Sequence, residues 1–299
     1  MKRSAPGQLP VAGSAPTVDG KVSIVVLNWN ARPFLARCLD SLVCHTREPY
    51  ELIVVDNGSD DGSPEVVERM VRAHPEVDIT FLRNTENRYF SQGYNQGFAA
   101  SAADAEYVMV FCNDVEAKED GWLGDFLAAI RVPNVIAVGS GSVSRLSDEQ
   151  RAIFRRNNPR YPAPGLTRRM RRCIDDPTFV YTHIYGYCFL LKKSLLTRTG
   201  LYLEGGDFRQ YHSDWEWYVR FKVLGYDIGL IAPRVHHWHS VSELIEFYPH
   251  LYRDLVEKLG QPELVGHYLK HGRPLYEEES GCRELQRQAR EAEGSRRGR

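Results

Sequence analysis

Val22–Asn28 reads VSIVVLN, a continuous apolar run rich in β-branched residues, and Leu52–Asp56 reads LIVVD. Between them, Pro33–Val43 carries Phe34, Leu35, Leu39 and Leu42 at helical spacing. Apolar runs without polar alternation are strands buried on both faces. The pattern continues with a helix over Pro64–Ala73, whose proline stands at the start, where it is tolerated. A third strand follows at Ile79–Leu82, a small-residue helix at Ser91–Ala103 and a fourth strand at Tyr107–Phe111. Short strands separated by helices of about ten residues predict a parallel sheet covered on both faces. Ligands of such sheets sit at the C-terminal ends of the strands.

Polar residues gather at those ends. Asn28-Trp29-Asn30 follows the first strand, Asp56 to Gly62 (DNGSDDG) the second, and Asn113-Asp114 the fourth. Each loop alone is ordinary turn chemistry. Three on one rim point to a site. The usual motifs narrow its chemistry. No G-x-G-x-x-G follows the first strand, no P-loop is present, and Gly139-Ser140-Gly141-Ser142 is not a nucleophile elbow. His236-His237-Trp238-His239 has no complementary cysteine pair nearby for structural zinc. The chemistry left is oxygen-rich: Asp56, Asp60, Asp61, Asp114, Asp214 and Glu216 all stand near predicted element ends. Such carboxylates hold Mg²⁺ or Mn²⁺ on a diphosphate, and one set apart can act as a general base.

The second half is less regular. Arg151–Arg172 carries eight arginines and no acid among prolines and glycine, and reads as a long loop. Three readings stay open for it: a solvated charge run, a lid over a diphosphate, or a site for an anionic acceptor. Tyr187–Lys192 and Asp227–Ile231 are strands, and Asp214–Leu224 is a helix with acids at its start. Residues 1–20 read as a disordered leader, and the stretch from Glu277 onward as a charged tail. Among 299 residues, 38 basic and 39 acidic side chains leave a net charge of −1, which argues against a protein that coats nucleic acid with its whole surface. No apolar run is long enough to cross a membrane. Six scattered cysteines without C-x-x-C fit a reducing, cytoplasmic setting, membrane-peripheral at most.

Four segments together resemble the inverting glycosyltransferases of family 2, which have the GT-A fold. They are VSIVVLNWN, VVDNGSDDGS (Val54–Ser63), Asn87–Gly97 (NRYFSQGYNQG), and Ser213-Asp214-Trp215-Glu216-Trp217 with Arg220 and Gly225. The resemblance implies an α/β fold with a Rossmann-like, mostly parallel sheet. It implies a catalytic domain over 21–245, with a nucleotide-binding half (21–115) and an acceptor half (116–245) holding a basic loop (145–180). A helical C-terminal extension and charged tail (246–299) would follow.

The same resemblance assigns roles. Asp56 accepts from the donor's base, a uracil or thymine. Asn28 and Ser59 line that pocket, and Asn87, Gly93 and Asn95 flank base and ribose. The D-x-D metal motif becomes Cys112-Asn113-Asp114, so Asn113 lies beside the donor and Asp114 keeps the metal position. Asp214 is the general base, Glu216 its supporting acid, and His237 the favoured histidine ligand, with His236 and His239 as alternatives. The implied activity is inverting transfer from a UDP- or dTDP-sugar to the hydroxyl of a glycan, lipid-linked glycan or small molecule, with Mg²⁺ or Mn²⁺. The rival from another class is a non-catalytic nucleotide or polyanion binder on the same fold. A sugar-nucleotide pyrophosphorylase is disfavoured, because Asn28-Trp29-Asn30 stands where that class has a glycine-rich loop.

Overall fold

The computed structural model describes residues 20–210, 212–238, 241, 244–245 and 249–258. The leader before residue 20, His239 and the tail beyond 258 lie outside the described residues. Strands β1 (Lys21–Asn28), β2 (Tyr50–Asp56), β3 (Ile79–Arg83) and β4 (Ala105–Cys112) alternate with helices α1 (Arg32–His45), α2 (Ser63–Ala73) and α3 (Tyr89–Ala100). All seven sequence-predicted elements of this half form. The pairs β1–β2, β1–β4 and β2–β3 are parallel, in register from Asn28 opposite Asp56 to Leu27 opposite Cys112. That register brings three polar loops to one rim.

The chain then adds β5 (Val115–Ala117), α4 (Trp122–Ile130), β6 (Val135–Arg145), α5 (Asp148–Asn157), α6 (Leu166–Asp175) and β7 (Val180–Lys192). A short α7 (Leu196–Thr199), α8 (Ser213–Leu224), β8 (Asp227–Leu230), β9 (Val235–His237) and α9 (Pro249–Lys258) complete it. The main sheet runs β3-β2-β1-β4-β7-β6-β8, with β7 antiparallel to both neighbours. A separate ribbon pairs β5 with β9. The sheet is mostly parallel and flanked by helices, an α/β architecture. Two apolar cores lie against its faces, and a third joins Ala31 and Phe34 to Tyr252, Leu255 and Val256 of α9.

Two positions explain how α3 seats on β1. A Cβ on Gly93 would collide with Leu27, and one on Gly97 with Val25. Only glycine lets the helix approach this closely.

The arginine-rich segment corrects the expectation of a long basic loop. It folds into α5 and α6. Ser147 and Gln150 form a reciprocal capping box at the start of α5. Leu166, Met170 and Ile174 recur every four residues along α6 and are buried in the core. The high arginine count hid both signals. Strand β7 also starts seven residues before the expected Tyr187, and its first half pairs only with β6.

Candidate active site

The polar rim is built from side chains that hold one another. Asn28 and Asp56, both 0% exposed, end adjacent parallel strands. Asn28 Nδ2 donates to Asp56 Oδ1 (2.9 Å) and to Ser59 Oγ (3.2 Å). Asp56 also accepts from the Ser59 hydroxyl (2.6 Å) and the Ser59 backbone N–H (2.9 Å). Asn113 Nδ2 donates to Asn28 Oδ1 (2.8 Å), tying in the loop after β4. Asp61 accepts from the N–H groups of Arg32 and Ser63, at the starts of α1 and α2. An acidic side chain there satisfies helix-end donors.

A cavity of about 270 Å³ opens beside this network. Its polar lining is Asn28, Asn57, Asn87, Asn113 and Gln210, and Trp29, Tyr89 and Phe90 add ring faces. The amides are fixed: Asn57 Nδ2 donates to Asn87 Oδ1 (3.2 Å), Asn84 Nδ2 to Asn57 Oδ1 (3.0 Å), and the Phe90 N–H to Gln210 Oε1 (2.9 Å). Tyr89 has φ of 62°, a conformation costly for a bulky side chain, with Arg209 over its ring at 3.9 Å. Strain of this kind collects at functional sites.

Of the residues expected to meet the nucleoside, Asn28, Asn87 and Asn113 line the cavity. Asp56 and Ser59 stand behind it, and their mutual hydrogen bonds buttress Asn28. Gly93 faces Leu27 rather than open space. Asn95 is turned toward the segment before α8: its amide donates to the Tyr202 carbonyl (3.0 Å) and Glu204 (2.7 Å), and accepts from the Tyr202 N–H. Sequence reading passed over Asn57, Tyr89 and Gln210. The first two lie inside the quoted segments; Gln210 carries no sequence signal.

A second cavity, about 210 Å³, adjoins the first and shares Phe90, Cys112 and Gln210 with it. Asp114, His237 and Asp214 all line it. Asp114 ends the β4 turn, and His237 reaches it because β9 pairs with β5, setting Val115 opposite His237. His237 Nε2 lies 3.5 Å from Asp114 Oδ2, and the His237 ring stacks on Tyr187 at 4.2 Å. Burial works to raise the Asp114 pKa, but His237 and the Val241 N–H outweigh it and hold the carboxyl below its usual range. Asp114 is therefore a buried anion facing an open cavity.

A carboxylate and an imidazole side by side, with space for phosphate and water oxygens, suit Mg²⁺ or Mn²⁺. Among the described residues, no three His, Cys, Asp or Glu side chains gather in one metal-holding cluster. Among the described residues, Asp114 and His237 are the pair placed to hold such a cation. Cys112 stands where the family motif has its first acid, and its thiol donates to the Gly186 carbonyl at 3.6 Å. Burial, and then the Asp114 charge, push that thiol above its ordinary range.

Asp214 opens α8, and its Oδ1 accepts from the Trp215 N–H (2.7 Å). Burial raises its pKa to about 6, against a smaller lowering by backbone N–H groups. Gly186 stands against it: a Cβ there would lie 3.0 Å from Asp214 Oδ2. Asp214 also borders a third cavity, about 380 Å³, lined by Ser144, Gln150, Tyr181 and His183 among others. A carboxylate with a pKa near neutrality in a cleft is suited to proton transfer.

Glu216, by contrast, is fully buried. It pairs with Arg220 at 2.5 Å and accepts from the Tyr161 hydroxyl, while Arg220 donates to the Thr199 and Leu201 carbonyls. It braces α8 against the preceding loop and lines none of these three cavities. The arginines of α5 and α6 are similarly engaged. Arg151 is buried against the Leu146 and Ile174 carbonyls, Arg155 pairs with Asp175, and Arg156 with Asp207. Arg169 donates to the Val223 carbonyl and Arg171 to Asn158. Five of the eight thus bind the fold together.

A mostly parallel sheet with helices on both sides, and polar loops meeting at its strand ends, is the α/β architecture of the GT-A fold. The profile of glycosyl transferase family 2 matches residues 23–199, and the chain belongs to that family. The O-antigen biosynthesis protein RfbC of Myxococcus xanthus is 33% identical over 121 residues, 40% of this chain and 9% of RfbC. The uncharacterized glycosyltransferase YwdF of Bacillus subtilis is 24% identical over 203 residues, 66% of this chain and 65% of YwdF. The chain also covers just 26% of the uncharacterized glycosyltransferase alr2836 of Nostoc, so it spans a fraction of several relatives. Among solved structures, the mannosyltransferase PcManGT from Pyrobaculum calidifontis, in complex with GDP-Man and Mn²⁺, superposes with a TM-score of 0.55. It is 18% identical, and the match covers 85% of this chain and 71% of PcManGT.

Proposed function

We propose that this glycosyltransferase inverts configuration, moving a sugar from a nucleotide-sugar donor to an acceptor hydroxyl. One observation carries the reading: the anion Asp114 with His237, and the near-neutral carboxyl Asp214, border one cavity that opens into the amide-lined one. The nucleoside would lie in the first cavity against Trp29, Tyr89 and the asparagines. The diphosphate would lie beside Asp114 and His237, and the acceptor would enter past Asp214.

Asp214 would take the acceptor hydroxyl proton as that oxygen attacks the anomeric carbon. The bond from this carbon to the diphosphate oxygen breaks on the opposite face, and the bonding pair leaves with the nucleoside diphosphate. A divalent cation held by Asp114 and His237 would neutralise the charge gathering on that diphosphate. The rigid amides fix the donor and so contribute by positioning. UDP or dTDP is the favoured donor nucleotide, on the resemblance of Val54–Ser63 to the family's base-binding loop. The nucleotide-bound neighbour supports the donor class in general.

The test is donor hydrolysis with Mn²⁺ across UDP-, dTDP- and GDP-sugars. Slow release of the nucleoside diphosphate from one uridine or thymidine donor is expected. Inactivity over the whole panel would instead favour a non-catalytic binder on this fold.

A further inference from the structure

Strand β7 carries an aromatic ring at every second residue over its first half: Tyr181, His183, Tyr185 and Tyr187. Alternate residues of a strand share a face. Here the rings form an unbroken row, with centroids 5.8, 5.6 and 6.4 Å apart, and Tyr187 stacks on His237 at 4.2 Å. The row extends about 20 Å along the strand.

Tyr181 anchors the row in the core at 3% exposure, and the other three rings emerge from it. Tyr185 is 48% exposed, and His183 and Tyr187 are partly so. The β6 residues paired with it are small: Ser142 stands opposite His183, and Ser144 opposite Tyr181. The Gly139–Ser142 stretch that forms no nucleophile elbow belongs to this strand. Hydroxyls thus lie beside ring faces. Ser144 Oγ is 3.2 Å from His183 Nδ1.

The cavities at both ends of the row border Asp214. Tyr181 and His183 line one cavity that Asp214 borders, and Tyr187 lines the other. A sugar ring has apolar C–H faces and a rim of hydroxyls. Ring faces with hydroxyls alongside match both.

We propose that this face of β7 is a track for an acceptor glycan chain several sugars long, which presents its terminal hydroxyl to Asp214. The inference rests on the glycosyltransferase reading and adds the acceptor class.

The test uses the full chain on an immobilised array of defined oligosaccharides, from mono- to hexasaccharides, with donor hydrolysis measured in parallel. Tyr185 is the residue to change, because it is exposed and lies outside the machinery assigned above. Retention that grows with chain length in at least one glycan series is expected. Tyr185→Ala should weaken retention of the longer members about fivefold, the worth of one ring face. Tyr185→Trp should restore it, and both variants should hydrolyse donor at the parent rate. Equal retention of short and long glycans, no retention of any, or an unaffected Tyr185→Ala variant overturns the track. If donor hydrolysis persists in any of these cases, the transferase reading stands without it. If the parent neither binds nor hydrolyses a nucleotide-sugar, the transferase reading fails first.

Discussion

Asp214 holds two properties that pull apart. Its burial raises the carboxyl pKa to about 6, which keeps it basic enough to accept a proton near neutrality. The same shift weakens the fold. An unfolded chain ionises this group near its ordinary value of 3.8, whereas the folded chain holds the proton until about pH 6. Stability is therefore lost as pH rises from about 4 to about 6, and the deficit persists above. Asp214→Asn escapes it. That variant is expected to lose transfer by about 10²-fold or more while binding donor normally. It should also melt a few degrees higher than the parent at pH 7.5 and no higher at pH 4. Parent turnover should rise through an apparent pKa near 6. Calorimetry at the two pH values and a pH–rate profile check all three. Asp214 was legible as an acid opening a helix. Its pKa was not, because the desolvating neighbours, Gly186 among them, come from a distant strand. Asp56 shows the reverse: its position was readable, while its commitment to Ser59 and Asn28 depends on the pairing of β1 with β2.

At the scale of elements, α3 and α5 make contrasting cases. Helix α3 was visible from its glycines and alanines, and its contact with β1 follows from them. Gly97→Ala would drive a methyl into Val25, and is expected to cost about 1–3 kcal/mol by denaturant titration. Gly97 lies on the buried face of the helix, so donor affinity should hardly change. Helix α5 was hidden among arginines, yet its capping box was written in the sequence as Ser147 and Gln150. Ser147→Ala should cost about 1 kcal/mol. If it costs nothing, the α5–α6 layer is held by apolar contacts alone. The arginines misled because charge pattern says nothing about partners. Asp175, Asp207 and several backbone carbonyls absorb them, and those partners lie across helix and loop boundaries.

For the whole molecule, the near-zero net charge averages over clustered acids and arginines that mostly bind the fold internally. The described helices include none long and apolar enough to cross a membrane. Helix α9, the last described element, adds a link between the frame and the site: the Tyr252 hydroxyl donates to the Asn30 carbonyl at 2.8 Å. Asn30 in turn orders the β2 loop through Ser59 and Asp60. Ligand binding should therefore tighten the whole domain. A nucleoside diphosphate with Mn²⁺ at a hundred times its Kd is expected to add about 2.7 kcal/mol to unfolding stability. Asp114→Ala should retain only the metal-independent part, as read by thermal shift with and without Mn²⁺.

The sequence by itself determined the alternating elements of the first half, their parallel pairing and the rim where polar loops meet. Local apolar periodicity and turn chemistry encode those directly. It also marked Asp114, Asp214 and the histidine cluster as chemistry-bearing. Only the tertiary structure brought His237 to Asp114, because that depends on β9 pairing with β5 some 120 residues away in the chain. It likewise decided which asparagines face open space and which face the core. And it turned four alternating rings of β7, unremarked in the sequence, into one continuous surface beside Asp214. Contacts between distant segments arise from packing, and no local pattern carries them.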